Sequence, residues 1–191
     1  MHEPPTWVLL RGLIREQRHW EGFPATLAAA LPGARILTPD LPGNGQRCRE
    51  PSPWHIRGMV EGLREDLAAR GVQGPVSVLA LSLGAMTALE WMSEWPQEVE
   101  RAVLMNTSLS ALSPLWHRLR PANYGAILRE LLFGRDRLAR ERLVLGITTN
   151  LVADREAYAR RWAGYAAQAP VSRRNALVQL ASAARYRRPA R

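Results

Sequence analysis

The stretch of sequence that decides the fold is Val76-Ser77-Val78-Leu79-Ala80-Leu81-Ser82-Leu83-Gly84-Ala85-Met86. Its first six residues are almost continuously apolar, which is typical of a strand buried on both faces of a parallel sheet. A helical pattern follows directly, so the strand and the helix share one short turn. Ala80 and Gly84 place small residues two positions before and after Ser82, and this spacing indicates a tight turn that exposes the serine hydroxyl. Ser82 is therefore a candidate nucleophile; the alternative is that it only caps the helix that opens at Gly84.

Strand and helix patterns alternate on both sides of this turn. The predicted strands are residues 7–10, 35–38, 76–81 and 101–106. The clearest amphipathic helix lies between the second and third strands, with Ser52 as its expected cap and Gly71 as its expected end. Such alternation predicts an α/β fold in which a parallel β-sheet carries helices on both faces.

The pattern changes to helices alone from about residue 110, and no fifth strand is predicted. We therefore divide the chain into three parts. Residues 1–109 form the first part of an α/β core, and residues 110–170 form an all-helical lid. Residues 171–191 form a helix that leads toward a C-terminal part of the core that we expect to be missing.

Composition excludes several classes of protein. At 191 residues, with 47% hydrophobic and 23% charged residues, the chain has the make-up of one ordinary globular domain. No apolar run is long enough to cross a bilayer and no signal peptide is recognisable, so we expect a cytoplasmic protein without a membrane span. Cys48 is the only cysteine, which excludes an intrachain disulfide and a cysteine-rich zinc site, and we expect no metal and no cofactor.

The positive charge is unevenly distributed. All 26 basic residues are Arg, and the formal net charge of the chain is +9. Residues 1–100 carry a net charge of −3, whereas residues 101–191 carry +12. Such asymmetry can mark a segment that binds nucleic acid. The arginines lie among apolar positions at helical spacing, without a recognised binding motif, so we expect no nucleic-acid partner.

Four segments, in order, resemble the α/β-hydrolase family. The family has a strand ending in His-Gly with a tryptophan some eight residues on, and here the strand ends in Arg11-Gly12 and is followed by Trp20. The family's Asp-x-Pro-Gly-His-Gly corresponds to Asp40-Leu41-Pro42-Gly43-Asn44-Gly45. The serine turn, a further strand and a helical lid then follow. The departures are Arg11 for His, Asn44 for His and Ala80 for Gly, and none of them removes a group that performs chemistry.

The resemblance implies an enzyme that hydrolyses a carboxylic ester or thioester through a Ser82 acyl-enzyme. It implies an oxyanion hole made of the backbone N–H groups of Leu13 and Leu83, which backbone amides can supply without side-chain entropy. It also implies that the four strands lie in the order second, first, third, fourth. The apolar residues of the lid favour a small apolar acyl or alkyl ester as the substrate partner, although the same residues serve equally well as ordinary core.

The general base is unknown. The family places its acid and its histidine after the lid, so we expect the chain to be truncated before them and inactive alone. Its four histidines are His2, His19, His55 and His117, of which only His117, at the start of the lid, is placed to reach Ser82. A non-catalytic binding or assembly module that keeps the hydrolase fold is the alternative. An uncovered edge at the fourth strand further predicts self-association.

Overall fold

Four strands form one sheet in this computed structural model, which describes residues 5–118 and 120–187. The strands are β1 (Thr6–Leu10), β2 (Arg35–Leu37), β3 (Val76–Leu81) and β4 (Val99–Met105). Their spatial order is β2-β1-β3-β4, and all three neighbouring pairs are parallel. The predicted α/β fold, strand direction and strand order are therefore confirmed.

Eight α-helices accompany this sheet in the described residues. They are α1 (Phe23–Ala30), α2 (Ile56–Ala69), α3 (Leu83–Glu94), α4 (Leu115–Arg118), α5 (Tyr124–Phe133), α6 (Arg137–Thr148), α7 (Arg155–Gln168) and α8 (Arg173–Arg185). Short 3-10 helices occupy Gln17–Trp20, Gly45–Arg47, Pro96–Glu98 and Pro121–Asn123. The first three α-helices connect or precede strands, and the other five follow β4. None of these helices is long and apolar enough to cross a membrane.

The two faces of the sheet are covered unequally. On one face, Val8 and Leu10 of β1 pack with apolar residues of α2 and α3, such as Leu63 and Ala88, in the main core. On the other face, Leu9 and Leu79 pack against Trp20, with Leu27 of α1 beside them. The alternation of neighbouring β1 residues between the two faces is the two-residue period of a strand.

Strand β4 forms one edge of the sheet, and it is poorly covered. Val103 is 44% exposed, although it is aligned with the buried Leu79 on β3. The last helix, α8, packs against α3 and α5 instead. The edge that the sequence predicted is thus present in the described part of the chain.

The expected cap of α2 was assigned to the wrong residue. His55, in an extended conformation, occupies the N-cap position, while Ser52 is buried and donates its hydroxyl to the Pro42 carbonyl at 2.9 Å. The reason is that the chain before α2 folds back on the loop at 40–45, and the hydroxyl satisfies a buried carbonyl there. Gly71 follows the end of α2 with a φ of 70°, as a residue that closes a helix commonly does.

Candidate active site

Ser82 occupies a sharp turn between β3 and α3. Its φ of 53° and ψ of −114° lie outside the ordinary helix and strand regions, which is consistent with the tight turn that the sequence predicted. Three hydrogen bonds hold its backbone. The Ser82 N–H donates to Met105 O at 3.0 Å, and Ser82 O accepts from Met86 N and from Thr107 Oγ1, both at 3.1 Å. The side chain makes no capping hydrogen bond, so the capping interpretation is not supported.

Small residues make this turn possible. Ala80 is fully buried, and a Cβ added to Gly84 would lie 2.6 Å from Arg11 O and 2.7 Å from Leu10 O. Real Cβ atoms do not approach backbone oxygens so closely, because the two would overlap. The start of α3 therefore touches the end of β1 only because residue 84 is glycine.

The loop after β1 lies against the serine. A Cβ on Gly12 would be 3.1 Å from Ser82 Cβ and 3.6 Å from Ser82 Oγ. The next residue is Leu13, whose N–H has no hydrogen-bond partner among the described residues. Leu83 is the first residue of α3. The N–H groups in the first turn of a helix have no carbonyl partner within that helix. Both backbone donors that the family resemblance implies therefore lie close to the serine in the chain. Leu83 follows Ser82, and Leu13 follows Gly12, which contacts Ser82. Neither N–H group has a hydrogen-bond partner among the described residues.

No described histidine is positioned as a base. Within residues 5–118 and 120–187, Ser82 Oγ makes no hydrogen bond to any histidine or carboxylate. His55 is exposed at the start of α2, and His117 is exposed with its ring against Trp116. His2 lies outside the described residues.

His19 is buried and neutral, with a structural role. Its Nδ1 bonds the backbone of Glu16 in a capping box at the start of the 3-10 helix Gln17–Trp20. Its ring also contacts Trp162 and Tyr165 edge-on. Burial, and after it the charges of Arg15 and Arg11, lowers the pKa of the imidazole to about 3. His19 is therefore held away from proton transfer near neutral pH.

Arg11, which stands where the family has histidine, is folded onto an aromatic ring. Its guanidinium carbon lies 4.9 Å from the centre of the Trp20 ring. Burial lowers the pKa of the Arg11 guanidinium to about 10, and its Nε has no hydrogen-bond partner in the described residues. The side chain thus keeps its charge at neutral pH, beside the loop that carries Leu13.

Asp40 fixes two loops together. One oxygen accepts the Gln46 N–H at 2.9 Å within its own turn, and the other accepts the Gln17 N–H at 2.8 Å from the loop after β1. The bond to Gln46 is local, whereas the bond to Gln17 joins this turn to a loop more than twenty residues earlier in the chain. Burial raises the pKa of Asp40 to about 6, although the two backbone donors act to lower it.

A cavity of about 80 Å³ lies beside the Leu13 loop. Its wall consists of Leu13, Ile14 and Val171 together with residues of α5, α6 and α8, most of them apolar. The charged residues of the wall are Glu130, Arg140 and Arg173. Ser82 does not line the cavity; Leu13, which does, follows Gly12, the residue that lies against the serine. Within the described residues, no cluster of side chains could hold a metal ion.

The sequence interpretation missed the polar face of α8. Asn175, Gln179 and Ser182 are each at least 95% buried and hydrogen-bond to loops that precede α2. Their spacing of four and three residues puts them on one side of the helix, among buried Ala176 and Val178. Polar residues at core positions of an amphipathic pattern were the available signal.

Comparisons with known proteins identify the family of this chain and structures with a similar fold. Residues 7–191 match the alpha/beta hydrolase family. The chain is similar to the crystal structure of a hydrolase from Pseudomonas aeruginosa, with a TM-score of 0.73 and 24% identity over 98% of this chain and 66% of that one. It is also similar to a Mycobacterium tuberculosis structure, with a TM-score of 0.58 and 23% identity over 97% of this chain and 66% of that one. At these identities the likeness shows the fold alone.

Among curated sequences, an uncharacterised protein of Mycobacterium tuberculosis is 26% identical over 102 residues. The match covers 53% of this chain and 29% of that protein. The chain thus aligns with less than a third of the curated relative and with just under two thirds of the two solved structures.

Proposed function

The chain belongs to the α/β-hydrolase family, and we propose that Ser82 is the nucleophile for hydrolysis of a carboxylic ester or thioester. The observation that carries the proposal is the Ser82 turn. A non-glycine residue at a φ of 53° is strained, and such strain persists where the surrounding structure holds it, commonly at functional sites. Three hydrogen bonds to its backbone, one of them from the Thr107 hydroxyl, and the contact with Gly12 hold it here.

The reaction that fits this arrangement is acyl transfer. Ser82 Oγ adds to the carbonyl carbon, its proton passes to a base, and the alcohol or thiol leaves with a proton. Water then attacks the acyl-enzyme and releases the acid. The Leu13 and Leu83 N–H groups would stabilise the negative oxygen that develops in both steps.

A small apolar acyl or alkyl ester is the substrate that we infer. The largely apolar cavity beside Leu13 supports this inference, because a chain placed there would extend from a carbonyl held near Ser82. In this proposal the helical segment 110–170 acts as a lid over the site, residues 1–109 form the core beneath it, and α8 contributes to the cavity wall.

The base is absent from the described site, so we infer that Ser82 in this chain reacts slowly. A serine hydroxyl without a base is a weak nucleophile at neutral pH. In a serine protease, loss of the triad costs on the order of 10⁶ in turnover, while the oxyanion hole and substrate binding retain about 10³–10⁴ over water. The same absence favours a second candidate function, a binding or assembly module that keeps the fold and its cavity.

Labelling with a fluorophosphonate distinguishes these candidates. In that reaction Ser82 Oγ bonds to phosphorus, fluoride leaves, and the hydroxyl proton passes to water. We expect slow labelling, mapped to Ser82 by peptide mass spectrometry, that is lost in Ser82→Ala and unchanged in the control Ser113→Ala. Turnover of p-nitrophenyl acetate should differ little between the parent and Ser82→Ala.

Other outcomes would change the proposal in defined ways. Labelling at other residues only, or no labelling, would favour the binding module. Robust ester turnover that Ser82→Ala abolishes would mean that a histidine of this chain reaches the serine, and His117→Ala would identify whether it is His117.

A further inference from the structure

Gln179 on α8 makes three hydrogen bonds in a fully buried position. Its side-chain oxygen accepts the backbone N–H of Ile14 at 3.0 Å. Its amide nitrogen donates to Asn44 Oδ1 at 2.9 Å and to Ser52 Oγ at 3.0 Å. The side chain is 1% exposed, so none of these bonds competes with bulk water. Because the Ile14 N–H requires an acceptor, the orientation of the amide is determined by the network.

The residue that Gln179 holds is itself strained. Ile14 has a φ of 52°, and a β-branched side chain rarely adopts this left-handed conformation. The turn that contains it is closed by a bond from Arg15 N to Gly12 O at 3.2 Å. A strained conformation of this kind persists only where neighbouring groups fix it, and Gln179 provides the buried side-chain bond to this peptide.

Gln179 hydrogen-bonds to the peptide group that joins Leu13 to Ile14. Its position limits how the preceding Leu13 residue can rotate, and therefore where the Leu13 N–H points. Gly12, on the other side of Leu13, lies against Ser82. Leu13 is thus anchored on one side by contact with the serine and on the other side by Gln179.

Other buried hydrogen bonds also join α8 to the segment before α2. One turn earlier, Asn175 accepts the Ser52 N–H and donates to Glu50 O, each at 2.9 Å. Asn175 is 5% exposed and carries the same amide group, but it makes no bond to the loop after β1. Asn175 and Gln179 therefore carry the same amide group on one helix face, but only Gln179 bonds to the Leu13 loop. Variants at the two positions can thus distinguish docking of the helix from contact with that loop.

We propose that Gln179 is a positioning residue that fixes the direction of the Leu13 N–H toward the oxygen that develops at Ser82. This inference rests on the proposed function of Ser82. It makes the placement of α8 a condition for stabilising the transition state. The cavity wall includes Leu13 and Ile14 and, on α8, Ala176 and Leu180, so a ligand there would touch both sides of the Gln179 bond.

Three variants of the full chain test the role. Gln179→Met keeps the size of the side chain and removes all three hydrogen bonds, and Gln179→Glu keeps an acceptor for the Ile14 N–H. Asn175→Leu is the matched control, because it removes a buried amide from the same face without touching the loop. The readouts are amide hydrogen exchange at Ile14, the unfolding midpoint in urea, and the rate of Ser82 labelling by a fluorophosphonate over long incubation.

We expect Gln179→Met and Asn175→Leu both to lower the urea midpoint. Only Gln179→Met should speed exchange at Ile14 and slow labelling of Ser82, by about 10- to 100-fold, because loss of a whole oxyanion donor costs about 10²–10³. Gln179→Glu should recover part of both effects. Wild-type labelling in Gln179→Met, or equal slowing in Asn175→Leu, would overturn the inference while leaving Ser82 as the nucleophile. A parent chain that labels no faster than Ser82→Ala would overturn the proposed function and this role with it.

Discussion

Gly84 shows how a single residue permits the Ser82 turn. Any side chain there would overlap the carbonyl oxygens of Leu10 and Arg11, which belong to the backbone and cannot rotate away. Gly164, in the middle of α7, has open space around it. A methyl group should therefore destabilise the fold at residue 84 and stabilise it at residue 164.

We expect Gly84→Ala to lower the free energy of unfolding by about 1–3 kcal/mol, as overpacking generally does. Gly164→Ala should raise it by up to about 1 kcal/mol, because alanine loses less conformational entropy in a helix. Urea unfolding followed by circular dichroism measures both. Equal stability of Gly84→Ala and the parent would show that α3 does not approach β1 this closely.

Charged residues of the segment 15–21, which contains the first 3-10 helix, join it to α6 and α7. Arg15 Nη1 lies 2.7 Å from Glu141 Oε2 in a pair whose side chains are 12% and 2% exposed. The Arg15 guanidinium also lies over the ring of Trp162, at 5.0 Å from its centre. Glu21 accepts from Arg161 and from Trp162 Nε1, and Arg18 donates to Gln168. Burial lowers the pKa of Arg15, but Glu141 opposes this effect.

Replacement of Glu141 by Gln leaves the Arg15 charge buried without its partner. Breaking a buried pair in this way costs about 3–5 kcal/mol, so Glu141→Gln should lower the urea midpoint strongly. The matched control is Glu156→Gln, which removes two exposed ion pairs, with Arg142 and with Arg160, and should change the midpoint little. Equal midpoints for the two variants would contradict a buried, energetically coupled pair.

The elements themselves could be predicted, while their side-chain partners could not. Strand β3 and the serine turn follow from a continuous apolar run and from small residues at fixed spacing, and both signals are local. The pairing of Arg15 with Glu141 joins two elements that are distant in the sequence. Each residue alone has the pattern of an exposed charge, so burial of the pair depended on how α6 packs.

Two buried groups make the free energy of unfolding depend on pH, and their contributions have opposite signs. The folded-state pKa of His19 is about 3, below its ordinary 6.5, so its contribution to stability is present above pH 6.5 and is lost as pH falls toward 3. The folded-state pKa of Asp40 is about 6, above its ordinary 3.8, so its contribution is present below pH 3.8 and is lost as pH rises through 6. Between pH 3.8 and pH 6, the stability lost at His19 as pH falls is partly offset by the stability gained at Asp40.

Variants at the two positions should separate these effects. The stability advantage of the parent over His19→Gln should shrink as pH falls from about 6.5 to about 4, by at most about 1.4 kcal/mol per pH unit. The parent's stability relative to Asp40→Asn should instead grow over the same fall in pH. Urea titrations at half-unit pH steps measure both differences, and a difference that is constant with pH would contradict the burial of that group.

The uncovered edge at β4 predicts self-association of the chain. Val103 is exposed on β4, a strand that has no neighbour on its outer side in the described sheet, and such edges pair with further strands. We expect sedimentation at tens of micromolar to show dimers or larger species. Val103→Lys should shift the chain toward monomer, whereas Leu151→Lys, at a 97% exposed position away from the sheet, should not. A stable monomer in the parent would contradict the prediction.

The sequence by itself determined the parallel sheet, its strand order through family resemblance, and the strained turn at Ser82. The sheet and the turn depend on apolar runs, on period and on small residues, all of which act over a few neighbouring positions, whereas the strand order follows from the resemblance. Only the tertiary structure decided that His19 is buried in a capping box, that Asp40 joins two loops and that Gln179 holds the Leu13 loop. Those outcomes depend on partners brought together from distant segments, and a buried polar group is stable only where such a partner meets it.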